Sequence, residues 1–217
     1  PIGNGFVLRT MAEFGDSAVA GAAIMGRITP VAFAAIFALS GAVGPIIGQN
    51  AGAGRYDRVR STLLNALMFV LCYVMLVWLV LWATADWVVE AFSASEQAAE
   101  LIYFYTAFIA GTFVFNGGLF VANASFNNLG HPHWATCFNF GRVVLGIIPA
   151  VHFGAQWFGP RGVMAGEAVG SILFGLLAVI GAFALMRRLE REHRVLEPGP
   201  LSSPEVAGLE TGREGPV

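Results

Sequence analysis

Three formal charges stand where charges are costly. Arg27, Arg142 and Glu167 each lie well inside a long apolar stretch of the chain. A charge at membrane depth pairs with another group, lines water, or takes part in moving ions and protons. A row of hydrogen-bonding side chains accompanies them. Tyr105, Thr112, Asn116, Asn123 and Asn127 follow one another at intervals of 7, 4, 7 and 4 residues, which on an α-helix puts all five on one face. Amides in lipid must find partners. The row therefore reads either as interhelical hydrogen bonding or as a cavity wall that binds a substrate or ion. Phe104, Phe108, Phe113, Phe115 and Phe120 run along the same stretch. They suit flat apolar cations, or face lipid and core.

Other chemistry is poorly represented. His131 and His133 flank a turn and His152 lies near a helix end, with no metal-ligand spacing and no nucleophile beside a base, so the chain does not read as an enzyme. GQNAGAGR (residues 48–55) has glycines but lacks the Lys-Ser/Thr ending of a phosphate loop, and no strand precedes it. Gly44, Gly48 and Gly52 instead repeat every four residues, a ladder that lets helices approach closely in lipid. Cys72 and Cys137 lie in apolar runs and read as small buried hydrophobes.

The elements that must carry these groups are transmembrane helices. Of the 217 residues, 56% are hydrophobic and 12% charged, against about 25% charged in a soluble domain. Leu63–Thr84 has no charge, and Gly162–Met186 has only Glu167. Runs of roughly 20 apolar residues span the hydrocarbon core, and their lack of strict alternation makes them helices. The expected fold is an all-α integral membrane lobe of six helices, with the first truncated. They cover residues 1–14, Ser17 to about Asn50 (interrupted at Pro30 and near Pro45), Asp57–Ala83, Glu100–Asn128, Trp134–Phe153 and Gly162–Glu192. A short amphipathic helix is expected in the acidic connection 86–100, and a ten-residue connection at 153–162. The transmembrane lobe is placed at 1–192 and a disordered cytoplasmic tail at 193–217. The chain opens at Pro1 inside an apolar segment, so a piece of a longer protein is expected.

Arginine counts set the orientation. Arg55, Arg58 and Arg60 follow the second helix, and Arg187, Arg188, Arg191 and Arg194 end the sixth. Six spans put both groups on one side, the expected cytoplasmic side of the inner (plasma) membrane. Arg161, Asp16, Asp86, Glu90 and Glu96 fall on the other. Glu167 then lies roughly 10 Å below the outer surface and Arg27 roughly 16 Å below it, with Arg142 at similar depth. The glycine face Gly162, Gly166, Gly170 and the adjoining Val163, Glu167, Ser171 must face other helices. The expectation is that Glu167 pairs with an intramembrane arginine, the alternatives being a protonatable site and a water-facing structural role.

Four stretches, in order, resemble one family. GPIIGQNAGAGRYDRVR resembles the helix–loop signature of the multidrug and toxic compound extrusion (MATE) family, and MAEFGDSAVAGAAIMGRI resembles its turn into the following helix. FNNLGHPHWA resembles its turn between the fourth and fifth helices of a lobe, and FGPRGVMAGEAVGSI the entry to its last helix. The resemblance covers roughly residues 1–190 and implies the C-terminal half of a two-lobe carrier with pseudo-twofold symmetry. It implies a secondary active antiporter exporting organic cations or drugs in exchange for H+ or Na+, with no other cofactor. The implied partners are the lipid bilayer, the cationic substrates and an N-terminal lobe of the same polypeptide, with no nucleic acid. Sodium-type members carry an acid on the fourth helix of this lobe; here that helix has no carboxylate after Glu100. The alternatives are a lipid-linked saccharide flippase, for which Arg27 and Arg142 are the available phosphate partners, and a non-transporting membrane protein.

Overall fold

The structure, a computed structural model, describes residues 2–196. The described residues form eight helices. They are α1 (Ile2–Ala12), α2 (Asp16–Ala32), α3 (Ala34–Gly52), α4 (Tyr56–Ala83) and the short α5 (Ala85–Ala91). α6 (Glu96–Asn128) follows as one rod. α7 (132–158) and α8 (160–196) run on from it, separated only by Gly159. Among the described residues, the segments long and apolar enough to cross a membrane are Ala34–Gly52, Tyr56–Ala83, Glu96–Asn128 and Pro132–Val195, the last holding α7 and α8. The outward face of α4 carries exposed Leu64, Met68, Leu76, Leu79 and Trp82, as a lipid-facing helix of about 42 Å requires. This is an all-α, multi-pass membrane lobe.

Several expected boundaries move. The second helix is not interrupted at Pro30 or near Pro45; it breaks once, at Phe33, and α3 runs through Pro45. Pro30 cannot donate to the carbonyl one turn back, and the helix gives way three residues later. The ten-residue connection at 153–162 does not exist. α7 continues to residue 158, and the chain reverses at Gly159 with φ 60 and ψ −143, a conformation open essentially to glycine alone. α8 continues through Leu196, so 193–196 are helical. The remainder of the expected tail lies outside the described residues. Cys72 and Cys137 are free and exposed, not buried.

Two apolar clusters hold the lobe. One joins α3, α4, α6 and α8 through Ile36, Ile47, Leu63, Val70, Leu119 and Phe126. The other joins α1, α2, α6, α7 and α8 through Met11, Ala18, Leu101, Val151, Val163 and Met164. α6 and α8 serve both. The break at Phe33 lets one stretch of chain serve both as well, α2 in one cluster and α3 in the other. The His193 ring meets Tyr56 at 5.7 Å and lies against Gly54. The two arginine groups therefore share one end of the lobe, as the six-helix reading requires.

The glycine face of α8 closes on α7. A Cβ on Gly162 would strike the carbonyl of Gly154, one on Gly166 the backbone of Ala150 and Val151, and one on Gly170 that of Gly146 and Ile147. Backbone cannot move aside as a flexible side chain can, so Gly166→Val should cost at least about 3 kcal/mol. Gly52→Ala, which meets nothing within 4 Å, should change little. Thermal melting of both variants in detergent, read by size-exclusion chromatography, checks this. Equal melting of Gly166→Val and parent would contradict the packing.

Candidate functional site

A cavity of about 470 Å³ opens where α1, α2, α6 and α8 meet. Thr29 and Pro30 line it from α2, Tyr105, Thr112, Phe113 and Asn116 from α6, and Glu167 and Ser171 from α8. Asn4 and Met11 close it from α1.

Two polar groups, one lining the cavity and one behind its wall, are set by distorted helix. Tyr105 opens a π-helical segment, Tyr105–Ile109, followed by a 3₁₀ turn, Ala110–Thr112. Arg142 opens a second π segment, Arg142–Ile147, and Pro149 just beyond it has no N–H to offer. A π turn changes the helical register and concentrates at functional sites. Such irregularities leave carbonyls to be satisfied, and neighbouring side chains meet those near Tyr105 and Phe33. Trp78 Nε1 donates to the carbonyls of Thr106 at 2.9 Å and Ala107 at 3.2 Å, its ring packing where Gly111 has no Cβ. At the Phe33 break, Ile36 N donates to Phe33 O at 3.0 Å, and the Tyr73 hydroxyl donates to Ala32 O at 2.8 Å.

The polar contacts inside the cavity are short. Thr29 gives its hydroxyl proton to Met25 O at 2.7 Å, so the 2.7 Å contact with Tyr105 has the tyrosine hydroxyl as donor. Arg142 reaches the wall from α7, donating to Asn116 Oδ1 at 3.2 Å and Ser171 Oγ at 3.3 Å. Its Nε is buried without a partner. Glu167 is half-buried on the cavity wall. Among the described residues its carboxylate joins no ion pair within 4.0 Å and makes no hydrogen bond.

The candidate residues thus divide. Tyr105, Thr112, Asn116 and Glu167 line the cavity, and Arg142 braces it. Arg27 does not belong: it is exposed on α2 and joins no ion pair among the described residues. Asn123 and Asn127 line a separate pocket of about 290 Å³ between α3 and α6. The contact ion pair expected of Glu167 is absent, because the Arg142 guanidinium is held by Asn116 and Ser171. Phe113 lines the cavity and Phe120 the second pocket, while Phe108 is exposed. Sequence reasoning missed Thr29 and Trp78. Ser171 carried a usable signal, one turn after Glu167 on the same helical face.

Fold and site define a multi-pass membrane lobe, with apolar helices outside and a mainly apolar, carboxylate-bearing cavity within. The MatE family model matches residues 4–152, and the chain belongs to that family, the MATE transporters. An FAD transporter from Shewanella oneidensis is 27% identical over 176 residues, covering 81% of this chain and 39% of that protein. An uncharacterized 21 kDa protein from Pseudomonas savastanoi is 31% identical over 186 residues, covering 83% of this chain and 59% of that protein. The Vibrio cholerae MATE transporter VcmN in its bent form superposes with TM-score 0.79 at 24% identity, covering 90% of this chain and 44% of that one. An outward-facing multidrug resistance MATE transporter gives 0.81 at 16% identity, over 88% and 43%. The chain spans about half the length, or less, of most of these relatives.

Trp78 donates to the π segment of α6, so Trp78→Phe, which keeps the ring and loses the donor, should destabilise the lobe by about 1–3 kcal/mol. Thermal melting in detergent reads the loss. Parental melting would mean that the freed carbonyls find other donors.

Proposed function

We propose that this lobe forms one wall of a transport cavity in which an organic cation and a proton compete for Glu167. The protein then works as a secondary active antiporter of organic cations, facing a second lobe across the cleft. The carboxylate without a contact partner carries this reading. An ionised Glu167 attracts a cation, and a proton taken up there releases it. Phe113 and Tyr105 offer aromatic faces to a flat cation, and Asn116 and Ser171 keep Arg142 from neutralising the acid by direct contact. Repeat-built carriers bind substrate at the repeat interface near the midplane. Protons are favoured over sodium because α6 carries no acid beyond Glu100. The arginine-bearing end faces the cytoplasm of a cell whose inner membrane holds the protein.

The relative described as an FAD transporter motivates a second reading, an anionic flavin dinucleotide. Arg142 is the nearest phosphate partner for it, since Arg27 stands outside the cavity. The same arrangement weighs against a lipid-linked saccharide flippase, which would need several cavity arginines.

The test is flux in proteoliposomes holding the complete gene product. A pH gradient should drive tetraphenylphosphonium transport, and Glu167→Gln should cut it about tenfold or more while leaving protein yield unchanged. Flux that survives Glu167→Gln, follows a sodium gradient, or carries FAD in place of the cation with dependence on Arg142 would overturn the reading.

A further inference from the structure

At the arginine-bearing end, α4 and α8 run side by side on the outside of the lobe. His193 on α8 meets Tyr56 at the start of α4 with ring centroids 5.7 Å apart. Deeper in, Leu67 of α4 and Val179 of α8 both lie within 4 Å of where a Cβ on Gly118 of α6 would stand, so α6 backs them both. On α4, Arg60 and Leu64 follow Tyr56 at one-turn spacing, and Leu71 continues the same side. On α8, Leu176, Ile180 and Arg187 follow one another at intervals of four and seven residues, again along one side. These residues of both helices are exposed. With α6 on the inner side, the two exposed flanks face each other across an outward groove, apolar along its length and headed by an arginine on each wall.

The charges at the head of the groove do not balance. Arg188 takes Glu192, and Arg194 takes Glu190. Arg60, Arg187 and Arg191 join no ion pair among the described residues, and Asp57 is the one acid left over in 54–60 and 187–196. Counted along each helix, Arg60 lies roughly 6 Å in from Tyr56 and Arg187 roughly 9 Å in from His193, so the two stand at similar depth on opposite walls. Packed helices lie about 8–10 Å apart axis to axis, a gap that two arginine side chains close onto one anion. Phosphate is the anion their planar forks fit. One turn deeper than Arg60 the wall is already leucine, and a bare phosphate would leave that apolar length unused. We infer that an anionic phospholipid of the adjoining leaflet docks between α4 and α8, its phosphodiester held by Arg60 and Arg187 and its acyl chains lying along Leu64, Leu71, Ile180 and Leu176. Basic sites between transmembrane helices hold such headgroups. A choline headgroup would carry a cation toward the two guanidiniums, so the groove selects lipids whose only headgroup charge is the phosphate. The Glu167 cavity takes no part in this contact, which bridges α4 and α8 from outside.

The experiment is native mass spectrometry of the purified complete gene product, titrated in detergent with dioleoylphosphatidylglycerol or dioleoylphosphatidylcholine. The glycerol lipid should be retained about tenfold more tightly than the choline lipid. Arg60→Gln combined with Arg187→Gln should weaken its retention about tenfold or more, the loss of charge-assisted hydrogen bonds, and should remove the preference. Arg188→Gln, which takes away an arginine already engaged by Glu192, should leave the preference intact. Inorganic phosphate should not displace the lipid, because it cannot replace the chains. The altered arginines are exposed, so the variants keep the fold, and the comparison of the two lipids on the parent needs no variant. Equal retention of the two lipids, or an unchanged preference in the double variant, overturns the proposal. So does an equal loss in Arg188→Gln, which would mean a diffuse surface charge, or displacement by inorganic phosphate, which would mean a plain anion site.

Discussion

Hydrocarbon supplies no hydrogen bonds, so every carbonyl that a transmembrane helix releases must be met by protein or by water in a cavity. This constraint shapes the lobe. The chain departs from α-geometry at Phe33, at Tyr105–Ile109 and at Arg142–Ile147. Two of these departures are answered from α4, by Tyr73 and by Trp78. α4 thus does more than face lipid: its inner side holds two neighbouring helices in shapes that α-helices alone would not adopt. Those shapes place polar side chains at and beside the cavity. One π segment begins with Tyr105 and the other with Arg142.

Close approach of backbones supplies the rest. Gly154, Gly162, Gly166 and Gly170 bring α7 and α8 together until one backbone lies on the other, and Phe174 packs against Gly141 and Gly146 at the start and within the distorted part of α7. With those helices so close, Arg142 on α7 reaches Ser171 on α8 and Asn116 on α6. The guanidinium ties three helices at membrane depth through neutral partners. Glu167, one turn before Ser171, keeps its carboxylate toward the cavity. The arginine is thus held by neutral partners, and the carboxylate of Glu167 has no contact ion pair among the described residues.

Much of this was legible in the sequence, for identifiable reasons. Uncharged runs define spans because the bilayer sets their length, and clustered arginines mark one end because charge is costly in hydrocarbon. Glycines four apart announced the α8 seam, since small residues recur wherever helices touch in lipid. The cavity members Tyr105, Thr112, Asn116 and Glu167 were readable as polar residues at a depth where polarity needs a reason. The π segments were not readable, because YTAFI and RVVLGI are ordinary helix residues and the distortion depends on donors elsewhere. The stripe on α6 divides for another reason, the break in the helix it faces. Its first half faces α2 and its second faces α3, and the two part at Phe33. Arg27 lies on the exposed side of α2, outside this cavity; depth alone does not say which way a side chain points. Gly159 misled because a single residue in a glycine-only conformation reverses the chain where composition reads a longer loop.

The central claim is that one cavity carboxylate holds either a proton or a cation. Its most direct test is the number of protons released when tetraphenylphosphonium binds to the purified protein in weakly buffered detergent solution, read with a soluble pH dye. The account predicts proton release that tracks cation occupancy and vanishes in Glu167→Gln. Saturable cation binding with no proton release, or release that persists in that variant, would contradict it.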